Sequence, residues 1–210
     1  MEHNDHVDLL KPANLSPGGT WADFGAGGGA FTLALRELTG STADIFAIDK
    51  DSARLNGLER DYRNRFGDSD NLHIIRGDFT RPLDLPVLDG ALMANSLHYF
   101  RNPKLDEIEL GIREKDFNII RVKPGDSNPH HPDKLTILRS VRSFLKPDGL
   151  LLIVEYNVDS GNPWVPYPLT FETWRALALR AGFNEPRLLA KRPSSFLREF
   201  YSAAVNKIGN

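Results

Sequence analysis

WADFGAGGGAFT, residues 21–32, runs from apolar residues through an acid into four glycines packed in the five positions 25–29, and then into a helix-forming run. That order reads as strand, turn and helix. Glycines in such a turn let a ligand approach the backbone without meeting Cβ atoms, and the N–H groups opening the helix face that ligand. Alone the turn is ambiguous, because residues 25–30 also satisfy the G-x-G-x-x-A form of dinucleotide sites.

Working outward, apolar runs and helical patterns alternate, as strands crossed over by helices do in a mostly parallel sheet. TWADF (20–24) reads as the first strand and FTLALRELTG (31–40) as a helix stopped by Gly40. ADIFAID (43–49) is a second strand, and a helix opening at Asp51 and Ser52 runs to about Phe66. NLHIIRG (71–77) and LDGALMAN (88–95) are the third and fourth strands. A helix is expected over DKLTILRSVRSFLKPDG (133–149), ending in its Lys-Pro-Asp-Gly stop, then the most apolar strand, GLLLIVEYN (149–157). TFETWRALALRAGF (170–183) is a further helix, and PRLLAKR and FLREFYSAAV form a terminal edge hairpin.

One segment breaks this rhythm. Residues 103–132 are rich in charge and proline, and Ile108, Leu110 and Ile112, then Phe117, Ile119 and Val122, suggest a small hairpin. The segment reads as an insertion at about 103–132 in a single domain spanning 1–210. It is either a solvent-exposed loop, a lid over the site or a dimer contact.

Composition narrows the functional classes. A net charge of -2 gives no basic excess for a nucleic-acid backbone, so nucleic acid is not an expected partner. Without cysteine there is no disulfide and no thiolate metal site. The paired histidines 130 and 131, and His3 with His6, lack convincing further ligands, so no metal is expected. MEHNDHVDLLKP lacks the basic start and apolar run of a secretory signal, and the apolar run at 149–154 is too short for a bilayer, so a cytoplasmic protein without a membrane partner is expected.

Three acids qualify the glycine turn. Asp23 gives D-x-G-x-G-x-G, and a carboxylate there repels a pyrophosphate but attracts an ammonium or sulfonium group. Asp49 ends the second strand, where it can accept ribose hydroxyls, with Lys50 beside it. Asp78 and Phe79, after the third strand, suit an adenine amino group and ring.

With these motifs in order, the chain resembles the class I S-adenosylmethionine-dependent methyltransferases from about residue 19 to 204, the insertion excepted. DFGAGGG looks like the family's first motif, AID its ribose-binding acid, GDF its adenine motif and LDGALMANSLHYF its fourth-strand motif. FLKPDGLLLIVEYN looks like its approach to strand five, and LRAGF the turn before its last hairpin. Phe24, Ala26 and Asp148 depart from the usual leucine, cysteine and glycine. The resemblance implies a Rossmann-like, doubly wound seven-stranded α/β sheet, mostly parallel with an antiparallel C-terminal strand. It also implies that Gly25, Ala26, Gly27 and Gly29 line the methionine part of S-adenosylmethionine, with Asp23 near its amino group. Asp49 would hold the ribose, with Lys50 beside it also cofactor-binding, Asp78 and Phe79 would hold the adenine, and Asn95 would flank the methionine part and face the acceptor.

Methyl transfer from a sulfonium is an in-line displacement that needs a protein base only when the acceptor must lose a proton. His98 is the candidate base, with packing at a helix start as its structural alternative. Tyr99, Tyr156, Asn157, Trp164 and Tyr167 are candidate acceptor-binding residues, or simply loop packing. No NPPY-like tetrapeptide follows the fourth strand, which with the acidic balance points to a small-molecule acceptor. Two alternatives remain. One is an NAD-dependent oxidoreductase, although no Tyr-x-x-x-Lys pair occurs. The other is a noncatalytic cofactor-binding subunit docked through the insertion.

Overall fold

The structure is a computed structural model describing residues 1–103 and 132–209, so the expected hairpin or lid at 103–132 lies, but for its two ends, outside the described residues. Five helices, α1 (His3–Leu10), α2 (Ala30–Thr39), α3 (Ser52–Phe66), α4 (Lys134–Phe144) and α5 (Phe171–Arg180), are described. They flank seven strands, β1 (Thr20–Phe24), β2 (Asp44–Asp49), β3 (Leu72–Arg76), β4 (Leu88–Ala94), β5 (Leu145–Tyr156), β6 (Arg187–Pro193) and β7 (Glu199–Asn206).

The sheet order is β3-β2-β1-β4-β5-β7-β6. Neighbours from β3 to β5 pair in parallel, and β7 runs antiparallel to both β5 and β6. This is the expected mostly parallel α/β sheet. Alternation along the strands feeds two cores. Ala22, Ile48, Met93 and Ile153 pack with Leu138 and Trp174 of α4 and α5. Trp21, Ile45, Leu92 and Val154 pack with Leu9, Leu35 and Leu58 of α1, α2 and α3.

Two elements differ from the sequence reading. The helix expected over 133–149 stops at Phe144, and Leu145 turns extended and pairs with Leu88 of β4. Pro147 disfavours helix at Lys146, and Leu145, 2% exposed, is held in the core as strand. The N-terminus forms the unexpected helix α1, opened by a hydrogen bond from the Glu2 N–H to the Asp5 carboxylate (2.8 Å). It buries Leu9 and Leu10 and is fastened to the far strands, where the Ser202 hydroxyl donates to the Leu9 carbonyl (2.6 Å).

Candidate functional site

The C-terminal ends of β1, β2 and β4 meet the glycine turn. Gly25 and Ala26 donate their N–H groups to the Ile48 carbonyl (2.9 and 3.0 Å), pinning the turn to β2. The Asp49 carboxylate accepts from the Gly27 N–H and the Asp51 N–H, both at 2.8 Å. Asp49 therefore shapes the loop itself, and each oxygen keeps a further lone pair for a ligand hydroxyl.

The glycines divide the work. Gly25 has φ +86°, and a Cβ there would lie 2.6 Å from Ser96 Cβ. Gly29 has φ +82°, and its Cβ would lie 2.1 Å from Leu58 Cδ1, so its missing side chain serves the packing of α2 on α3. Gly28 meets open space, with nothing within 4 Å of its would-be Cβ.

A cavity of about 600 Å³ opens beside this turn, bordered by Gly25, Ala26, Gly27 and Gly28. Its floor holds Asp23, 1% exposed. Asp23 Oδ2 accepts from the Thr32 hydroxyl of α2 at 2.7 Å, whereas Oδ1 is buried without a partner. Burial raises this carboxyl to about 7, opposed by the Thr32 hydrogen bond and assisted by the nearby Asp49 charge. Asn95, held at φ +53°, also borders the cavity, and its Oδ1 likewise has no partner.

The other end of the cavity holds His98, in a short 3-10 turn after β4. His98 is 2% exposed, and its Nδ1 lies 2.7 Å from Oε2 of Glu155, which is fully buried at the end of β5. Glu155 Oε1 accepts the N–H groups of Leu97 and His98 (2.9 and 3.2 Å). One carboxylate thus fixes both the turn and the ring, leaving Nε2 as the other ring nitrogen of a residue that borders the cavity. The Lys134 ammonium locks the flank by donating to the Phe100 and Tyr167 carbonyls (2.6 and 2.8 Å). Burial pulls Lys134 down to about 7, against the Glu155 and Asp133 charges.

Of the expected acceptor residues, Tyr99, Tyr156 and Trp164 border this cavity. Asn157 and Tyr167 do not: the Asn157 amide donates to Glu199 Oε1 and accepts from the Phe171 N–H, and the Tyr167 hydroxyl accepts from Arg101 Nε. On the cofactor side, none of Asp49, Lys50, Asp78 and Phe79 borders the cavity; Asp49 and Phe79 lie against the glycine turn instead. The Phe79 ring is 3.4 Å from the would-be Gly25 Cβ and edge-on to Phe24 and Phe100, so it serves core and turn together. Asp78 is exposed and accepts from the Thr80 N–H (2.9 Å).

Sequence reasoning missed Glu155, Arg54, Gly28 and Phe196, and weighed His6 only as a metal ligand before setting it aside. Glu155 carried a signal, a lone acid ending the most apolar strand, the same pattern that singled out Asp23. His6 reaches the cavity wall through α1, its ring 4.7 Å from Phe31, and only a reading of that helix would have found it. Among the described residues no group of three or more histidines and carboxylates could hold a metal, and no helix is long and apolar enough to cross a membrane.

A family model described as a methyltransferase domain matches residues 4–192. The chain belongs to that family. Methyltransferase membership sets aside the nicotinamide oxidoreductase as a description of this chain. Comparison with curated proteins finds no match. Among solved structures, a SAM-dependent methyltransferase from Aquifex aeolicus is 18% identical with a TM-score of 0.64, covering 97% of this chain and 90% of that one. Human N-acetylserotonin methyltransferase, solved in complex with SAM, is 17% identical with a TM-score of 0.59, covering 97% of this chain and 52% of that one. A Nostoc punctiforme protein assigned as an O-methyltransferase is 16% identical with a TM-score of 0.65, covering 98% of this chain. The chain spans 55% of that protein's length. At these identities the likeness carries the fold of the methyltransferase family domain.

Proposed function

We propose that this methyltransferase domain moves the methyl group of S-adenosylmethionine onto a small-molecule acceptor whose oxygen, nitrogen or carbon atom gives up a proton to His98. The observation that carries this reading is the union, in one cavity, of the glycine turn with its unpaired buried Asp23 Oδ1 and the Glu155-oriented His98. S-adenosylmethionine supplies an electrophilic methyl group on a sulfonium. Asp23 Oδ1 suits the ammonium of its amino-acid end, and the open space at Gly28 admits its backbone close to the turn. Asp49 would accept the ribose hydroxyls with its remaining lone pairs, and Asp78 with Phe79 would flank the base.

His98 receives the acceptor proton at Nε2, because Nδ1–H is committed to the buried Glu155 carboxylate, which also stabilises the imidazolium that results. Tyr99, Tyr156 and Trp164 border that end of the cavity and would hold the acceptor. With a net charge of -2 the surface favours no polyanion, which supports a small molecule over nucleic acid.

Calorimetric titration with S-adenosylmethionine, S-adenosylhomocysteine and NAD tests the donor. Micromolar binding of both sulfur nucleosides without NAD binding is the expected result, and His98→Ala should bind S-adenosylhomocysteine as wild type does. Binding of NAD alone would overturn the reading.

A further inference from the structure

Among the described residues, eight large apolar side chains are notably exposed, and four of them, Met1 (50%), Tyr99 (57%), Trp164 (70%) and Phe196 (51%), border the one cavity that holds His98. Exposed apolar surface gathered at a single mouth marks a binding site, where scattered residues would need no explanation. The mouth continues inward as aromatic surface. The Phe196 ring lies 6.0 Å from Tyr156, Tyr156 lies 6.2 Å from His98, and Tyr99 covers His98 at 4.4 Å. These rings come from three separate places in the chain, the turn after β4, the end of β5 and the β6–β7 connection, and Trp164 joins them from the loop after β5, so no single local packing need accounts for them.

The charges say what such a surface takes. The one carboxylate bordering the cavity among the described residues is Asp23, buried at the glycine turn, so no acid waits at the mouth for a cation. Arg54 borders the turn end instead, paired with Asp51 at 3.6 Å, so among the described residues no lysine or arginine side chain waits at the mouth for an anion. A protonated amine also has no lone pair with which to attack a methyl group.

We propose that the mouth is a platform for a flat, uncharged aromatic ring, gripped by Trp164, Phe196 and Tyr99, whose hydroxyl group points past Tyr156 to His98. The hydroxyl rests on the methyl-transfer reading above, whereas the ring rests on the exposed aromatic surface alone. Ring-on-ring contact favours an aromatic over a saturated skeleton of the same shape. In the reaction the hydroxyl oxygen forms the new bond to the methyl carbon, the carbon–sulfur bond of the donor breaks with its electron pair left on sulfur, and the hydroxyl proton passes to His98.

Calorimetry on the full chain with 2-naphthol and with decahydro-2-naphthol, each with and without S-adenosylhomocysteine, provides the test. The expected result is at least tenfold tighter binding of 2-naphthol, reduced fivefold or more by Trp164→Ala and by Phe196→Ala while S-adenosylhomocysteine binding is unaltered. Equal affinity for the two alcohols, or indifference to both substitutions, would overturn the platform even if S-adenosylhomocysteine binds well. Discrimination between the alcohols with no S-adenosylhomocysteine binding would keep the platform and sink the donor instead. Light scattering together with acrylamide quenching covers the remaining occupant. Trp164 is the exposed tryptophan, Trp21 and Trp174 being 5% and 0% exposed, so a dimer whose Trp164 is shielded without ligand would make the face a contact between copies and overturn the proposal.

Discussion

Asp23 and Glu155 are both single acids near the ends of apolar strands, and both are almost wholly buried, at 1% and 0% exposure. Their surroundings give them opposite tasks. Glu155 is saturated by two N–H groups and an imidazole, whereas Asp23 keeps one oxygen empty. Asp23 was legible because the glycines beside it asked for a counter-charge. Glu155 was not, because its partner His98 is 57 positions away in sequence and only the pairing of β4 with β5 brings the two together. The pKa of about 7 means that the folded chain holds the Asp23 proton more tightly than the unfolded chain, whose value is near 3.8. The residue therefore costs nothing below that lower value, costs progressively more as pH rises, and costs its full amount above about 7. Asp23→Asn should gain stability over wild type by ~2–4 kcal/mol between pH 4 and pH 8, read by urea denaturation at both pH values. A cationic ligand group reverses the preference, so wild-type affinity for S-adenosylhomocysteine should rise with pH through that range, and a flat profile would contradict the pairing. At Glu155 the predicted change is kinetic. Glu155→Gln keeps an acceptor for the two N–H groups but turns an amide donor towards His98, favouring the tautomer with the proton on Nε2. The kcat should fall by ~10²–10⁴ with KM little altered, and an unchanged kcat would remove His98 as the base.

At the level of elements, most of what was read correctly is carried by local chemistry. Asp51 caps α3 by accepting from the Ala53 and Arg54 N–H groups, and Gly40 and Gly67 close α2 and α3, as their positions announce. The elements read wrongly are those settled by distant contacts. The end of α4 yields to the pairing of Leu145 with Leu88, and α1, only eight residues long, is held by β7, α2 and the strand edge rather than by its own propensity. The glycine turn shows the same division within a few residues, and yields a paired prediction. Gly29→Ala needs a left-handed backbone and drives Cβ into Leu58, so it should cost ~2–4 kcal/mol of stability. Gly28→Ala meets no atom within 4 Å and should leave the melting temperature within about 2 °C of wild type. Its methyl group enters the space offered to the donor, so S-adenosylhomocysteine should bind at least fivefold more weakly. If Gly29→Ala were the variant that lost affinity while keeping stability, the assignment of the two glycines would be reversed.

Across the whole molecule, the order of apolar strands and amphipathic helices was enough to give the sheet, because each parallel strand is apolar on both faces and each crossover helix covers one of them. The insertion was legible only as an interruption of that order. What sequence alone did not carry is the division of labour between the faces. The α1–α3 face bears Asp23 and the start of α2, where the donor is proposed to bind, whereas the α4–α5 face supports Lys134 and Leu97, which flank His98. The two halves of the site therefore draw on different cores, and a defect in one should be felt unequally by the other. Trp174 tests this. It is fully buried in the α5 side of the sheet, remote in sequence from the glycine turn. Trp174→Ala should cost ~3–5 kcal/mol, lowering the melting temperature by roughly 6–15 °C for a chain of this size. At 10 °C, where the variant remains folded, S-adenosylhomocysteine should bind within about twofold of wild type, since nothing on the α1–α3 face has lost a contact. Acceptor turnover should fall more than donor affinity, because the cavity left at Trp174 loosens the packing beneath α4 and so the Lys134 clamp beside His98. Equal loss of both would mean that the sheet transmits the defect as one rigid body and that the faces do not act separately.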